Sequence, residues 1–408
     1  MNVDWRLLLA VTLPFAWMNL INQASRAVMA VIGPALAVEF ALSASELGLL
    51  AACMFAAYAA AQLPGGVLID RLGPRKVQSA LAMLTAIGFA LFALSEGLAT
   101  LSAARLVLGV GVSASLIAVL KVNTQWFAPA QVAAMTALAG VVGALGSMLT
   151  TVPVQLALPV MGWRGVMWVL SAVSFAVALW IHFAVPEHPA RAARRDLKEE
   201  LAVLASICAS PRFWRCAPAV AMLSAMNFAY LGLWAGPWLR DVAGYDGPAR
   251  ANTLLLYTFG LMTGTFVTGW LTSRVQGRGR SGIGVLLACH VGSIAAQLGL
   301  ALQPAGASVP ALWLLFAFAS SGTTAGFVVV GQMFPREHVG RVSTAVNTLT
   351  LGAAFLLQAA IGWILDFWPR TAAGGWDAQG YSTALCVSAA ILAVTALVLF
   401  TNRDGTRR

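Results

Sequence analysis

The sequence predicts an all-α membrane protein, with twelve transmembrane helices arranged as two pseudo-symmetric six-helix bundles. Three observations carry that prediction. Of 408 residues, 60% are hydrophobic and only 10% charged, where a soluble domain carries about 25% charged residues. The apolar residues fall into twelve stretches, each near the ~20 residues a helix needs to cross a bilayer. The charges lie mostly between these stretches, and the basic ones favour alternate gaps.

Taken in order, the first two spans cover roughly 7–37 and 45–69, parted by an outer loop that Glu39 and Glu46 flank. A third, at roughly 77–97, follows Gly66-Val67-Leu68-Ile69-Asp70-Arg71-Leu72-Gly73-Pro74-Arg75-Lys76. Charges this dense cannot lie in hydrocarbon, and Gly73-Pro74 ends any helix there, so the segment is a tight turn at the membrane surface. Spans at roughly 101–124, 131–157 and 165–185 complete the first six. The polar stretch from Pro186 to Arg212 reads as a cytoplasmic linker with an amphipathic helix lying along the membrane surface. Spans at roughly 213–239, 250–272, 282–302, 310–333, 342–367 and 379–401 form the second six. The chain thus divides into an N-terminal bundle (1–185), a linker (186–212) and a C-terminal bundle (213–408).

The net charge of +10 has a topological explanation. Eighteen of the 25 Lys and Arg residues lie on one side: Arg6; Arg71, Arg75 and Lys76; Arg191, Arg194, Arg195, Lys198, Arg212 and Arg215; Arg274, Arg278 and Arg280; Arg336 and Arg341; Arg403, Arg407 and Arg408. The opposite side holds Arg164, Arg240, Arg250 and Arg370. The positive-inside rule then places both termini in the cytoplasm, which requires an even number of spans. No nucleic-acid partner is expected. The first apolar run is too long for a cleavable signal peptide. Cys53, Cys208, Cys216, Cys289 and Cys386 are scattered and suggest neither a disulfide framework nor a zinc site. No nucleophile–base pair, metal-ligand cluster or phosphate loop stands out, so neither an enzyme nor a metal or cofactor is expected.

The two halves carry echoes of each other. Gly269-Trp270-Leu271-Thr272-Ser273-Arg274 with Arg278-Gly279-Arg280 repeats the charged turn 203 residues on, with Ser273 in place of the aspartate. Trp126-Phe127-Ala128-Pro129 returns as Met333-Phe334-Pro335 at a spacing of 207. Transporters are often built from such repeats, with the substrate held at the midplane between them.

Polar residues inside the spans are the candidate binding groups. In span 1, Asn19, Asn22, Gln23 and Arg26 follow i, i+3, i+4, i+7 spacing, an arc of about 100° on one helix face. A buried arginine is costly in a membrane and normally faces a polar cavity. Its planar fork suits a carboxylate, while the three amides supply neutral hydrogen bonds. In span 7, Asn227, Tyr230, Trp234 and Trp238 repeat the pattern with spacings of 3, 4 and 4. Trp238 reads as an interfacial anchor. Arg105 and Lys121 in span 4 lie about 160° apart around the helix and so share no face; Lys121 sits where it could draw an anion inward. Tyr58 and Gln62 in span 2, Tyr257 in span 8, and Asn347, Thr350 and Gln358 on one face of span 11 are further candidates, each weighed against a role as glue between helices. His290 is the histidine deepest in a span, a candidate for proton coupling. The spans hold no Asp or Glu near their middles. That leaves facilitated diffusion, anion exchange, or entry of a proton with the substrate or through His290.

The turn pattern G-x-x-x-D-R-x-G-x-R-K, carried by Gly66, Asp70, Arg71, Gly73, Arg75 and Lys76, resembles the signature of the major facilitator superfamily between its second and third membrane helices. The resemblance implies that fold, and a gating role in which Asp70 caps a neighbouring helix end and pairs with basic residues to lock the cytoplasmic side. Arg105 with Gly109 resembles the superfamily's R-x-x-x-G motif of the fourth helix. Ser25-Arg26, Gln62-Leu63-Pro64-Gly65-Gly66 and Lys121 to Trp126-Phe127 resemble the organic anion/cation symporter branch. Ser25 stands where that branch often carries an aspartate. Drug–proton antiporters of the superfamily often show a Gly-Pro motif in the fifth helix; span 5 has Gly140, Gly143 and Gly146, with Pro153 well separated.

The expected function is a monomeric carrier moving a small organic anion, a carboxylate, across the bacterial inner membrane by alternating access. The alternatives are a drug or metabolite efflux carrier on the same fold, and a transporter-like sensor. Three span cations without a carboxylate argue against cationic drugs, and neither linker nor tail holds an output domain.

Overall fold

The computed structural model describes residues 5–187, 197–335, 338–371 and 374–401, with backbone only at 129–130, 133 and 197–200. The basic residues Arg191, Arg194, Arg195, Arg336, Arg403, Arg407 and Arg408, and the side chain of Lys198, lie outside the described set. The described residues are helices and turns with no strand. Backbone polar groups have no water to bond in hydrocarbon, so an isolated spanning segment has to satisfy them internally as a helix.

We number the spanning helices in order: α1 Trp5–Glu39, α2 Ala44–Leu72, α3 Pro74–Ala93, α4 Leu98–Trp126, α5 Pro129–Leu149 with its continuation 152–161, α6 163–184, α7 Pro211–Asp241, α8 Gly247–Gln276, α9 Ile283–Ala301, α10 Ser308–Gly331, α11 Val339–Leu365 and α12 Ala378–Thr401. The boundary of α5 and α6 is Gly162, whose φ of 65° and ψ of 178° interrupt an otherwise continuous helical run. A short helix, Leu197–Ala209, precedes α7.

Besides α5, interrupted at Thr150–Thr151, four of these helices depart from a regular ladder. The α4 helix breaks at Ser113–Ala114 and α10 at Ser321–Gly322. At both breaks a serine hydroxyl bonds back into the preceding turn: Ser113 Oγ to the Val110 carbonyl at 2.7 Å and Ser321 Oγ to the Phe318 carbonyl at 2.6 Å. Such back-bonding competes with the helical ladder. The two breaks stand 208 residues apart, close to the spacing of the sequence echoes. In α1 and α7 the ladder widens to i→i+5 over Leu8–Thr12 and Tyr230–Trp234. Single π-turns of this kind are frequent at functional sites.

The chain forms two compact units, Met1–Ala35 with Cys53–Glu200, and Leu36–Ala52 with Leu201–Arg408. In the first, α3 packs along α6 and α4. Small residues allow close approach: a side chain at Gly111 would collide with Thr85, and one at Gly109 with the Met54 carbonyl. In the second, α7 packs along α11, α8 along α10, and α9 along α12 and α10. The start of α2 belongs to this unit. Asp366, just past α11, accepts the Ala44 and Ser45 amides at 2.9 Å each, and Arg370 donates to the Leu42 carbonyl. A carboxylate on two free amides at a helix N-terminus is favoured by both hydrogen bonding and the helix dipole.

Candidate functional site

In the first unit the polar face of α1 is built by its neighbours. Gly143 and Gly146 of α5 give it a seat: a Cβ at Gly143 would collide with the Asn19 amide, and one at Gly146 with the Leu20 carbonyl. Asn19 Nδ2 donates to the Ala139 carbonyl of α5 at 3.1 Å. Asn22 is 3% exposed, and no described group donates to its Oδ1. Gln23 and Arg26 are half-buried on the same face. The Arg26 guanidinium lies 4.9 Å from the centre of the Tyr58 ring and 6.0 Å from that of Phe55, both on α2. A cation over an aromatic face is stabilised there by the ring's electrons. Tyr58, one of several secondary candidates by sequence, is thus brought directly to Arg26; the periodicity of a single helix could not reveal that pairing.

The other two span cations of this unit have different surroundings. Arg105 is buried, and one of its contacts is Nη1 donating to the Ser25 carbonyl at 2.9 Å, beside the candidate face of α1. Lys121 is bound by Asp70: the ammonium and the carboxylate stand 2.7 Å apart, with about a third and a fifth of each side chain exposed. This ties the charged turn to α4. On the other flank of the turn, Arg75 Nε donates to the His182 carbonyl at 2.8 Å, and Lys76 pairs with Glu187 at 3.2 Å. Gly73 has a φ of 88°, a backbone conformation that suits glycine, and Pro74 opens α3 behind it. A buried network lies just below: Asn123 accepts from Thr12 at 3.1 Å and donates to Thr136 at 3.3 Å.

In the second unit, Asn227 and Tyr257 are joined, Tyr257 donating to Asn227 Oδ1 at 3.0 Å. Tyr230 shares a hydrogen bond with Ser388 at 3.2 Å and packs against Trp313 and Phe316 with ring centres 5.9 and 5.3 Å apart. Trp234 turns elsewhere: its Nε1 donates to the Gln358 carbonyl at 3.1 Å and its ring meets Trp376. The spacing of 3, 4 and 4 therefore does not gather all four α7 residues on one neighbour, because the π-turn rotates the helix between Tyr230 and Trp234. Trp238, expected at the interface, is instead 1% exposed and packs edge-on to Trp313 at 5.5 Å. The ring of Trp313 is the hub of this cluster, and sequence periodicity did not single it out. Asn347 is half-buried on α11, where Thr350 bonds back to Val346 and Gln358 Nε2 donates to the Phe228 carbonyl at 3.2 Å.

A second ionic feature also escaped the sequence reading. Asp241, at the end of α7 with its side chain 3% exposed, takes two bonds from Arg240, at 2.5 and 3.1 Å. It also accepts from the Trp376 amide at 3.1 Å and the Tyr381 hydroxyl at 2.9 Å. With four donors on one carboxylate, this is a clasp holding the end of α7 to the approach to α12. Adjacent charges at a span end look like a loop in sequence, which is why it went unnoticed. His290 is fully buried in α9 with Nδ1 2.8 Å from the Leu286 carbonyl. Among the described residues all five cysteines are free, and no three His, Cys, Asp or Glu side chains cluster as a metal site would require.

Comparison with known proteins bears on this geometry. The family model described as Major Facilitator Superfamily matches residues 15–322. The chain is 24% identical over 281 residues to the probable sulfoacetate transporter SauU of Cupriavidus necator, a match covering 64% of each chain, just under two thirds of that protein's length. It is 24% identical over 369 residues to the hexuronate transporter of Bacillus subtilis, covering 85% of this chain and 86% of that one. A bacterial homologue of the human lysosomal transporter Spinster, solved in an inward-facing and occupied conformation, superposes with a TM-score of 0.80 at 17% identity, over 97% of this chain and 96% of that one.

Proposed function

Because this chain belongs to the Major Facilitator Superfamily, a family of membrane transporters rather than enzymes, we propose that it carries a small organic anion, a carboxylate, across the bacterial inner membrane by alternating access. One observation carries the choice of an anion: Arg26 stands on the amide-rich face of α1, cushioned by the Tyr58 ring. A fixed cation inside a spanning helix is expensive, and an anionic cargo is what repays its placement. The named cargo of two relatives, sulfoacetate and hexuronate, agrees in charge.

In this reading Asn19, Asn22, Gln23 and Arg26 contribute from the first half, and Asn227, Tyr230, Trp234, Tyr257 and Asn347 from the second. The halves are 1–185 and 213–408, joined by a cytoplasmic linker, with both termini in the cytoplasm. Gly66, Asp70, Arg71, Gly73, Arg75 and Lys76 form the gating turn. Lys121 is held by Asp70 in this conformation and meets an anion when that pair opens. Arg105 and His290 are the coupling candidates. Two-state rocking of repeats about a central site is the mechanism such folds support.

Uptake by the purified protein in proteoliposomes tests the proposal. Arg26→Ala is expected to reduce uptake of an anionic substrate at least a hundredfold, the order of one charge-assisted bidentate contact. Undiminished uptake in that variant, or transport of neutral sugars with no competition from organic acids, would refute it.

A further inference from the structure

We propose that Asn19 and Asn22 form an acceptor pair that selects anions carrying a hydrogen-bond donor at the end remote from the charge. The inference rests on the anion reading above and adds what the cargo has to offer besides its charge. Three observations lead to it. Asn19 commits one of its two N–H donors: Nδ2 bonds the Ala139 carbonyl, which fixes the amide's orientation, and Gly143 leaves room for the amide to lie there. Its Oδ1 accepts no bond from the described residues and is left to meet a ligand. Asn22 Oδ1 is buried and receives no bond from any described group. Leaving a buried carbonyl oxygen unmet is costly, more so than the mean worth of a hydrogen bond. Both amides share the helix face that carries Arg26.

The face therefore has a polarity. Its Arg26 end carries the guanidinium and its Asn19–Asn22 end offers two amide oxygens to which no described group donates. At 1.5 Å per residue, the acceptors lie roughly 6 and 10 Å along the helix from Arg26. The complementary molecule carries its carboxylate at one end and a hydroxyl or N–H at that distance. An acid of the same length ending in a methyl group would leave Asn22 unmet, and sites built to hydrogen-bond a ligand reject analogues that lack the group. Asn19 and Asn22 are specificity residues in this account, and Gly143 is a positioning residue that fixes which end of Asn19 faces outward.

The test uses a matched pair, 6-hydroxyhexanoate and hexanoate, titrated calorimetrically against the full-length protein in detergent. The wild type is expected to prefer the hydroxy acid about tenfold, as one neutral hydrogen bond allows. Asn22→Leu should bring the ratio to near one by weakening the hydroxy acid about tenfold more than it weakens hexanoate. Gly143→Ala should lower the ratio by displacing Asn19, and Asn22→Ala replaces Asn22→Leu should the latter not fold. A wild-type ratio near one, a preference that survives in Asn22→Leu, or no binding of either acid would overturn the proposal. Arg26→Gln separates the two readings. If it binds both acids as well as the wild type does, the anion reading fails, whatever the hydroxyl preference proves to be.

Discussion

Arg26, Arg105 and Lys121 are alike in sequence, three cations in apolar runs, yet each stands in a different chemical situation. Arg26 is cushioned by aromatic rings. Arg105 bonds the backbone of α1 at Ser25. Lys121 is paired with the carboxylate of the signature turn. The Arg105 contact has a structural consequence, because it holds the carbonyl one residue before Arg26. Arg105→Leu is expected to lower stability by roughly 2–3 kcal/mol, the cost of losing a charged donor to a buried acceptor, with Arg105→Lys recovering part. Thermal unfolding in detergent measures this. An unchanged midpoint with transport abolished would make Arg105 a coupling residue instead. At this scale the sequence was legible for residue type and helix face: Arg26 with its amides needed only 3.6-residue periodicity. It was not legible for partners. Tyr58 beneath Arg26 and Asp70 on Lys121 come from other helices, and no local pattern encodes which turn of α2 faces which turn of α1 or α4.

At the scale of elements, helix contacts are set by small residues and by breaks. The start of α2 is gripped within the second unit by Asp366 and Arg370, and by two close approaches. A Cβ at Gly362 would collide with the Ala44 carbonyl, and one at Gly48 would stand 2.5 Å from the Gln358 carbonyl. These are backbone atoms that cannot move aside alone, so Gly362→Val has to push α2 and α11 apart. We expect a cysteine placed at Ser45, in a protein otherwise free of cysteine, to react with an impermeant maleimide several-fold faster in Gly362→Val. Removing the cap with Asp366→Asn should act in the same direction and more weakly, at about 1 kcal/mol. Equal labelling in all three would show that the contact does not restrain α2. The same logic revises the glycine pattern of α5: Gly143 and Gly146 are the seat of α1. The π-turn in α7 was invisible to periodicity, since a 3.6-residue pattern assumes an unbroken i→i+4 ladder.

At the scale of the whole molecule, hydropathy and charge set the frame. A fluorescent-protein fusion to the C-terminus is expected to fluoresce and an alkaline-phosphatase fusion to be inactive, as cytoplasmic placement requires; the reverse would overturn the assignment of sides. Sequence by itself determined the helical class, the succession of spans and the family, because partitioning between water and hydrocarbon acts on each segment separately and leaves a readable composition. It also marked the repeat, which the breaks at Ser113 and Ser321 extend to a matching irregularity of backbone. Only the tertiary structure decided which polar groups are already satisfied. Asn19 committed one of its two N–H donors to Ala139, Lys121 was paired with Asp70, and the Asp241 carboxylate took four donors, while Asn22 kept an acceptor unmet among the described residues. Hydrogen bonds and ion pairs inside a membrane are made between segments far apart in the chain, so their satisfaction is a property of packing that no single helix can announce.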